Sequence, residues 1–276
     1  MELLLIIDKE IDSSIIENSL YIREGEKLIS INLKSLGKFC KLQNNPDSFQ
    51  MRNLLNEENV LTELDNNIGK ERRELFEDCS NLKINIFLNS PGGRVMDASR
   101  IIDVLEYIRN SNGIITSYSF YNIASAAANI FSFSTIRYCL NLSQFMFHKT
   151  QMNDEFDPEE DESEEDYEEI KRELALSDYE EELNRVFQID TTETRSLINE
   201  ALDNLECDFY ISGSFLVQMQ SMNQTYSDLE EFIDFINVDI GYDIEDFDRL
   251  SEFIWDIDID NEPNIELNGT TYDFKC

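Results

Sequence analysis

The chain opens on an unbroken apolar run, Leu3-Leu4-Leu5-Ile6-Ile7, closed by Asp8. No basic segment precedes it, so the run predicts a first strand and not a secretion signal. Leu28 to Leu33 predicts another strand. Asn44-Asn45-Pro46-Asp47 marks a turn, and Met51 to Leu75 reads as one or two helices. The pattern then sharpens. Leu82 to Leu88 alternates with period two and ends at Asn89-Ser90-Pro91-Gly92-Gly93. Met96, Ile101, Ile102, Val104, Leu105 and Ile108 follow at helical spacing. Ile114 to Tyr118 predicts the next strand, and Ala124 to Ile130 opens a second helix. Ile136 to Leu140 and Gln144 to Phe147 predict two short strands. This alternation of strand and helix argues βαβ units around a parallel sheet, an α/β fold.

Between Asn153 and Glu169, 12 of 17 residues are acidic and none is basic. Such a run repels itself and predicts a solvated loop or disorder. Tyr179 to Phe187 and Thr192 to Leu205 read as helices, the second with a threonine cap. Leu229, Phe232, Ile233, Phe235 and Ile236 also sit at helical spacing. Ile254, Trp255, Ile257 and Ile259 alternate in part with aspartates, which predicts a strand. The chain thus divides into an N-terminal region (1–80), a core (81–222) with an acidic insert (153–169), and an acidic, aromatic-rich C-terminal appendage (223–276).

Charge narrows the function classes. The 276 residues carry 58 Asp and Glu against 22 Lys and Arg, a formal net charge of -36. That field repels phosphate backbones and anionic lipid surfaces, and no basic patch offsets it. No stretch reaches the roughly 18 apolar residues of a spanning helix. Nucleic acid and membrane are therefore not expected partners, and a cytoplasmic location is the default. The five cysteines are widely spaced with no CxxC pair, which predicts free thiols in a reducing compartment. The single histidine, His148, argues against a zinc hydrolase, which wants two or three imidazoles. No cofactor is expected.

Three places could carry chemistry. In Ser90-Pro91-Gly92-Gly93, Pro91 and Gly92 form a turn, and the glycines let backbone amides face an anion. Read alone, it is also an ordinary strand-to-helix turn. Ser125 lies among small residues near a predicted helix start, where developing negative charge is favoured. An Ala-rich packed helix explains the same pattern. His148 ends a strand, and in a serine hydrolase with a histidine base it has to be that base. A carboxylate must orient it, and Asp190, Asp203 and Asp208 all follow.

From Ile84 to His148 the chain resembles the Clp protease proteolytic subunit, an ATP-dependent serine peptidase. The family's strand ending Asn-Ser-Pro-Gly-Gly is matched at Asn89 to Gly93. Its Gly-Gln-Ala-Ala-Ser-Met-Gly-Ala segment is similar to Tyr121 to Ala128, and its Leu-Pro-Asn-Ser-x-x-Met-Ile-His-Gln run to Leu140 to Lys149. Its later Asp-Arg-aromatic run resembles Asp208 to Gly213. The likeness covers roughly residues 82 to 216. It implies a ClpP/crotonase-like spiral of ββα units. It also implies Ser125 as nucleophile, His148 as base, Asp208 as orienter, and the Gly93 and Ala126 amides as oxyanion hole. Further implications are a serine endopeptidase acting through an acyl-enzyme, a ring-shaped homo-oligomer, peptide or protein substrates, and a Clp-type ATPase or related protease subunit as partner.

The departures matter as well. Tyr121, Ile123, Ala126 and Ala127 replace smaller or different residues around the nucleophile, which narrows the site. After His148, the family's glycine-rich strand and long helix, by which two rings stack, give way to the acidic block. Such drift suits a phage or viral relative. Two other readings remain: a catalytically inactive, ClpP-like scaffold or modulator subunit, and an acidic decoy for a basic partner.

Overall fold

The computed structural model describes residues 2–44, 56–77, 82–149, 164–188, 191–256 and 272–275. Its frame is one ten-stranded sheet. The strands are β1 (Glu2–Ile7), β2 (Leu20–Glu24), β3 (Lys27–Ile31), β4 (Lys83–Ser90), β5 (Ile114–Ala124), β6 (Ile136–Leu140), β7 (Gln144–Phe147), β8 (Asp208–Ser212), β9 (Gln224–Tyr226) and β10 (Tyr272–Lys275). They run in the order β10-β8-β7-β5-β4-β1-β2-β3, with β6 and β9 branching from β5.

The centre is parallel: β1 with β4, β4 with β5, and β5 with both β6 and β7. The flanks are antiparallel: β2 and β3 on one side, β8 and β10 on the other. The sheet is therefore mixed, with the expected parallel part confined to its middle.

The helices are α1 (Ser13–Asn18), α2 (Leu33–Asn44), α3 (Glu57–Ile68), α4 (Lys70–Glu77), α5 (Val95–Asn110), α6 (Ala126–Ser132), α7 (Glu164–Val186), α8 (Thr192–Asp203), α9 (Gly213–Gln218), α10 (Leu229–Ile240) and α11 (Asp248–Asp256). The opening apolar run is unbroken because β1 is covered on both faces. Leu3, Leu5 and Ile7 join a core shared with α2, α5, α6 and α7. Leu4 and Ile6 join a second, aromatic core with Phe87, Phe120, Phe232 and Phe253, under α10 and α11. The C-terminal aromatics thus pay their way as the second layer of the sheet.

Three readings of the sequence need correction. The alternation at Ile254 to Ile259 predicts a strand, yet Ile254 to Asp256 belong to the helix Asp248–Asp256, and positions 257–259 lie outside the described residues. Leu250 and Phe253, three apart, share the buried face, and the short alternation coincides with a helical period. The acidic block predicts a solvated loop or disorder. Positions 153–163 lie outside the described residues, but Glu164 to Glu169 belong to α7. Finally, Cys207 is disulfide-bonded, although wide spacing suggested free thiols throughout. Cys40 and Cys139 are buried and not disulfide-bonded. Wide spacing in sequence does not prevent closeness in a sheet that joins distant segments.

Candidate active site

The parallel centre brings chemistry to one end of the sheet. Neighbouring parallel strands deliver their carboxyl ends side by side, where open α/β sheets place their ligand crevices. Here β4 runs into the Ser90-Pro91-Gly92-Gly93 turn, Ser125 directly follows β5, and His148 directly follows β7. The register pairs Ala124 with Met146, and the Ser125 amide donates to the Met146 carbonyl at 2.8 Å. This fixes Ser125 one step from the strand that carries His148. His148 Nε2 lies 2.7 Å from Ser125 Oγ.

Ser125 adopts φ 55, ψ -123 where β5 turns into α6. A positive φ is costly for a residue with a side chain, and it persists only where surroundings enforce it. The geometry is that of a strand-to-helix elbow, which lifts the hydroxyl clear of the backbone. Small residues on both sides make the sharp turn possible. Ala124, Ala126 and Ala127 are all buried beside it.

The glycine turn presses against this elbow. A Cβ on Gly92 would stand 2.5 Å from the Ala124 carbonyl oxygen, and Gly92 has φ +96. Ser90 Oγ accepts from the Gly92 amide at 3.2 Å and donates to the Lys9 carbonyl at 2.6 Å. Pro91 is exposed at the outside of the turn. From the other side, the Ile11 amide donates to the Gly92 carbonyl and the Arg94 amide donates to the Ile11 carbonyl, at 2.7 and 2.8 Å. A Cβ on Gly93 would meet Ile11 backbone at 2.4 Å. Among the described residues, no hydrogen bond occupies the Gly93 amide. The Ala126 amide stands at the first position of α6, where the helix supplies no acceptor. The loop from Lys9 to Ile11 was missed by the sequence reading. It lies far upstream, and a lone Ile11 among polar residues gave no local signal.

Asp208 begins β8, antiparallel to β7, so it arrives at the same end. The ladder pairs Phe147 with Phe209, and one further step sets Asp208 across from His148 on the same face. Among the described residues, no hydrogen bond or ion pair joins the two. Asp208 instead engages Tyr210. Burial first, and then the Asp208 carboxylate that accepts the phenol's hydrogen bond, raise Tyr210 above the usual phenol value. Tyr179 of α7 is also raised, by burial first and then by Glu182 and Asp208. Asp203 sits exposed at the end of α8, and Asp190 lies outside the described residues.

Two further observations bear on ligands. Among the described residues, no group of three or more His, Cys, Asp or Glu is placed to hold a metal ion. No described helix is long and apolar enough to cross a membrane.

Comparison with known proteins gives one family. The Clp protease family model matches residues 49–214, more than half of the chain. No curated protein matches. Among solved structures, the chain is similar to a peptidase from Plasmodium falciparum. The identity is 12%, the coverage 82% of this chain and 96% of that one, and the TM-score 0.44. It is also similar to a ClpP1 mutant from Listeria monocytogenes at 15% identity, with 83% and 94% of the two chains covered and a TM-score of 0.43.

Proposed function

The chain belongs to the Clp protease family, and from that premise we propose that it is a serine endopeptidase with Ser125 as its nucleophile. The observation that carries the reading is the 2.7 Å contact between His148 Nε2 and Ser125 Oγ, on a residue held at positive φ.

His148 takes the hydroxyl proton as Ser125 Oγ attacks the scissile carbonyl, which requires a neutral ring with its free nitrogen at Nε2. The Gly93 and Ala126 amides receive the oxyanion, the contribution that usually dominates such reactions. His148 then passes its proton to the leaving amine, and the acyl group stays on Ser125. Water, deprotonated by His148, releases it. Asp208 is the proposed orienter of His148, and the pairing of Phe147 with Phe209 next to them supports that reading. Catalytic contacts of this kind are often long before substrate binds, so its present hydrogen bond to Tyr210 is compatible with the role. Val95 and Met96, exposed just beyond Arg94, offer apolar surface to a substrate side chain.

The chemistry is assigned to the core, residues 81–222, with 1–80 and 223–276 completing the sheet and its covering layers. Family membership supports the spiral of strand-strand-helix units, a homo-oligomeric ring and a Clp-type ATPase partner. The test is fluorophosphonate labelling with the modified residue mapped. Stoichiometric labelling at Ser125, lost in Ser125→Ala and His148→Ala, is the expected result. An unlabelled, folded and assembled protein would overturn the peptidase reading in favour of a scaffold that keeps the fold without the reaction.

A further inference from the structure

Arg137, on β6, is 2% exposed and has no carboxylate partner among the described residues. Its guanidinium donates five hydrogen bonds, all to backbone carbonyls. Nε reaches Ser134 at 2.9 Å. Nη1 reaches Val186 at 2.8 Å and Ser221 at 3.1 Å. Nη2 reaches Ser132 and Arg185, each at 2.8 Å. Every donor of the side chain is used, and only arginine carries five in one rigid fork. Burial lowers its pKa to about 10, still far above neutrality, so the group is a buried cation.

The acceptors are informative. The Ser132 carbonyl closes α6, and Ser134 lies two residues on. The Arg185 and Val186 carbonyls close α7. Carbonyls at helix ends lack intrahelical partners and concentrate negative charge, so one cation satisfies two helix C-termini together. The first of those helices carries Ser125 and the Ala126 amide at its other end, only two turns away. The guanidinium also stands 5.0 Å from the Phe131 ring centre, and Phe131 packs on Phe145 of β7 at 4.6 Å. His148 follows on that strand. A second guanidinium, Arg185 of α7, reaches Ser132 Oγ and Asn129 Oδ1 of α6, each at 3.0 Å.

We propose that Arg137 is a positioning residue of the active site, and that through it the seating of α7 sets the geometry of Ser125 and the Ala126 amide. The inference rests on the serine-peptidase reading and adds regulation to it. The helix that leaves the acidic block is tied by one buried cation to the helix that holds the nucleophile. Whatever shifts the C-terminus of α7 therefore shifts the elbow at Ser125.

The test is the kinetics of fluorophosphonate labelling at Ser125 in the full chain, comparing wild type with Arg137→Lys and Arg185→Gln. Lysine keeps the charge but cannot span five carbonyls. In Arg137→Lys the maximal labelling rate is expected to fall at least tenfold, with the half-saturating probe concentration within twofold. In Arg185→Gln, where the first tie remains, the fall is three- to fivefold. A merely structural tie would lower the melting temperature and leave the maximal rate of the folded protein unchanged, and that result overturns the proposal. Where Arg137→Lys does not fold, Arg185→Gln decides alone, and an unchanged rate there overturns it too. An unlabelled wild type overturns the peptidase reading and this inference with it, whereas labelled variants matching a labelled wild type overturn this inference only.

Discussion

Gly92 and Ser125 are packed so closely that a methyl group on the glycine would stand 2.7 Å from the serine Cβ. The same methyl would lie 3.2 Å from the Ala126 amide nitrogen. Most of those neighbours are backbone, so nothing flexible can yield. Gly92→Ala is expected to push the elbow out of place and lower Ser125 labelling by at least tenfold. Its positive φ adds to the cost, so stability should fall by about 1–2 kcal/mol. Denaturant unfolding measures the second effect, and labelling of the folded fraction measures the first.

Asp208 sits across from His148 by register, whereas Asp203 lies exposed at the end of α8. Asp208→Asn should therefore slow labelling by about a hundredfold or more, since the orienting carboxylate sets the histidine tautomer. Asp203→Asn should leave the rate unchanged. A reversed result would move the third role to another carboxylate.

Glu182 is fully enclosed in α7, and burial pushes its pKa up to about 8, with Arg185 opposing in part. Among the described residues its Oε1 has no hydrogen-bond partner. Between pH 5 and 8 the folded state thus holds a proton that the unfolded chain releases. Its stabilising contribution is complete below the unfolded value near 4.5 and is lost as pH rises through about 8. Glu182→Gln cannot titrate, so its stability should fall less between pH 5 and 8 than that of the wild type. The difference should be on the order of a few kcal/mol. Melting temperatures at pH 5 and pH 8 test it. Equal slopes would show that the carboxyl ionises without cost.

Cys207 is disulfide-bonded, while Cys40 and Cys139 are not. Reductant or Cys207→Ser should lower stability by about 2–4 kcal/mol. Peptide mapping without reductant identifies the partner. Equal stability with and without reductant would show that the bond does not form in solution.

Much of the frame was legible in the sequence because local pattern matched burial. Lys83–Ser90, Val95–Asn110 and Ile136–Leu140 sit where period two and period 3.6 placed them. Ser125 and His148 were legible as separate candidates, and their meeting was not, since it depends on two parallel strands lying side by side. Arg137 gave no signal either, because its partners are backbone carbonyls that no sequence displays. At Ile254 to Asp256 helix stands where a strand was expected, because so short an alternation cannot be told from a helix turn when both faces carry apolar groups.

The position of β1 bears on how the chain reaches this state. β1 lies in the middle of the sheet, with Glu2 to Ile7 paired along Lys83 to Leu88. It can join β2 and β3 early, but its other edge stays open until β4 has been made. A run of five aliphatic residues is exposed during that interval, and long-range strand pairing is slow to form. Refolding rate and aggregation yield should therefore be governed by the β1–β4 seam more than by the loops near Ser125.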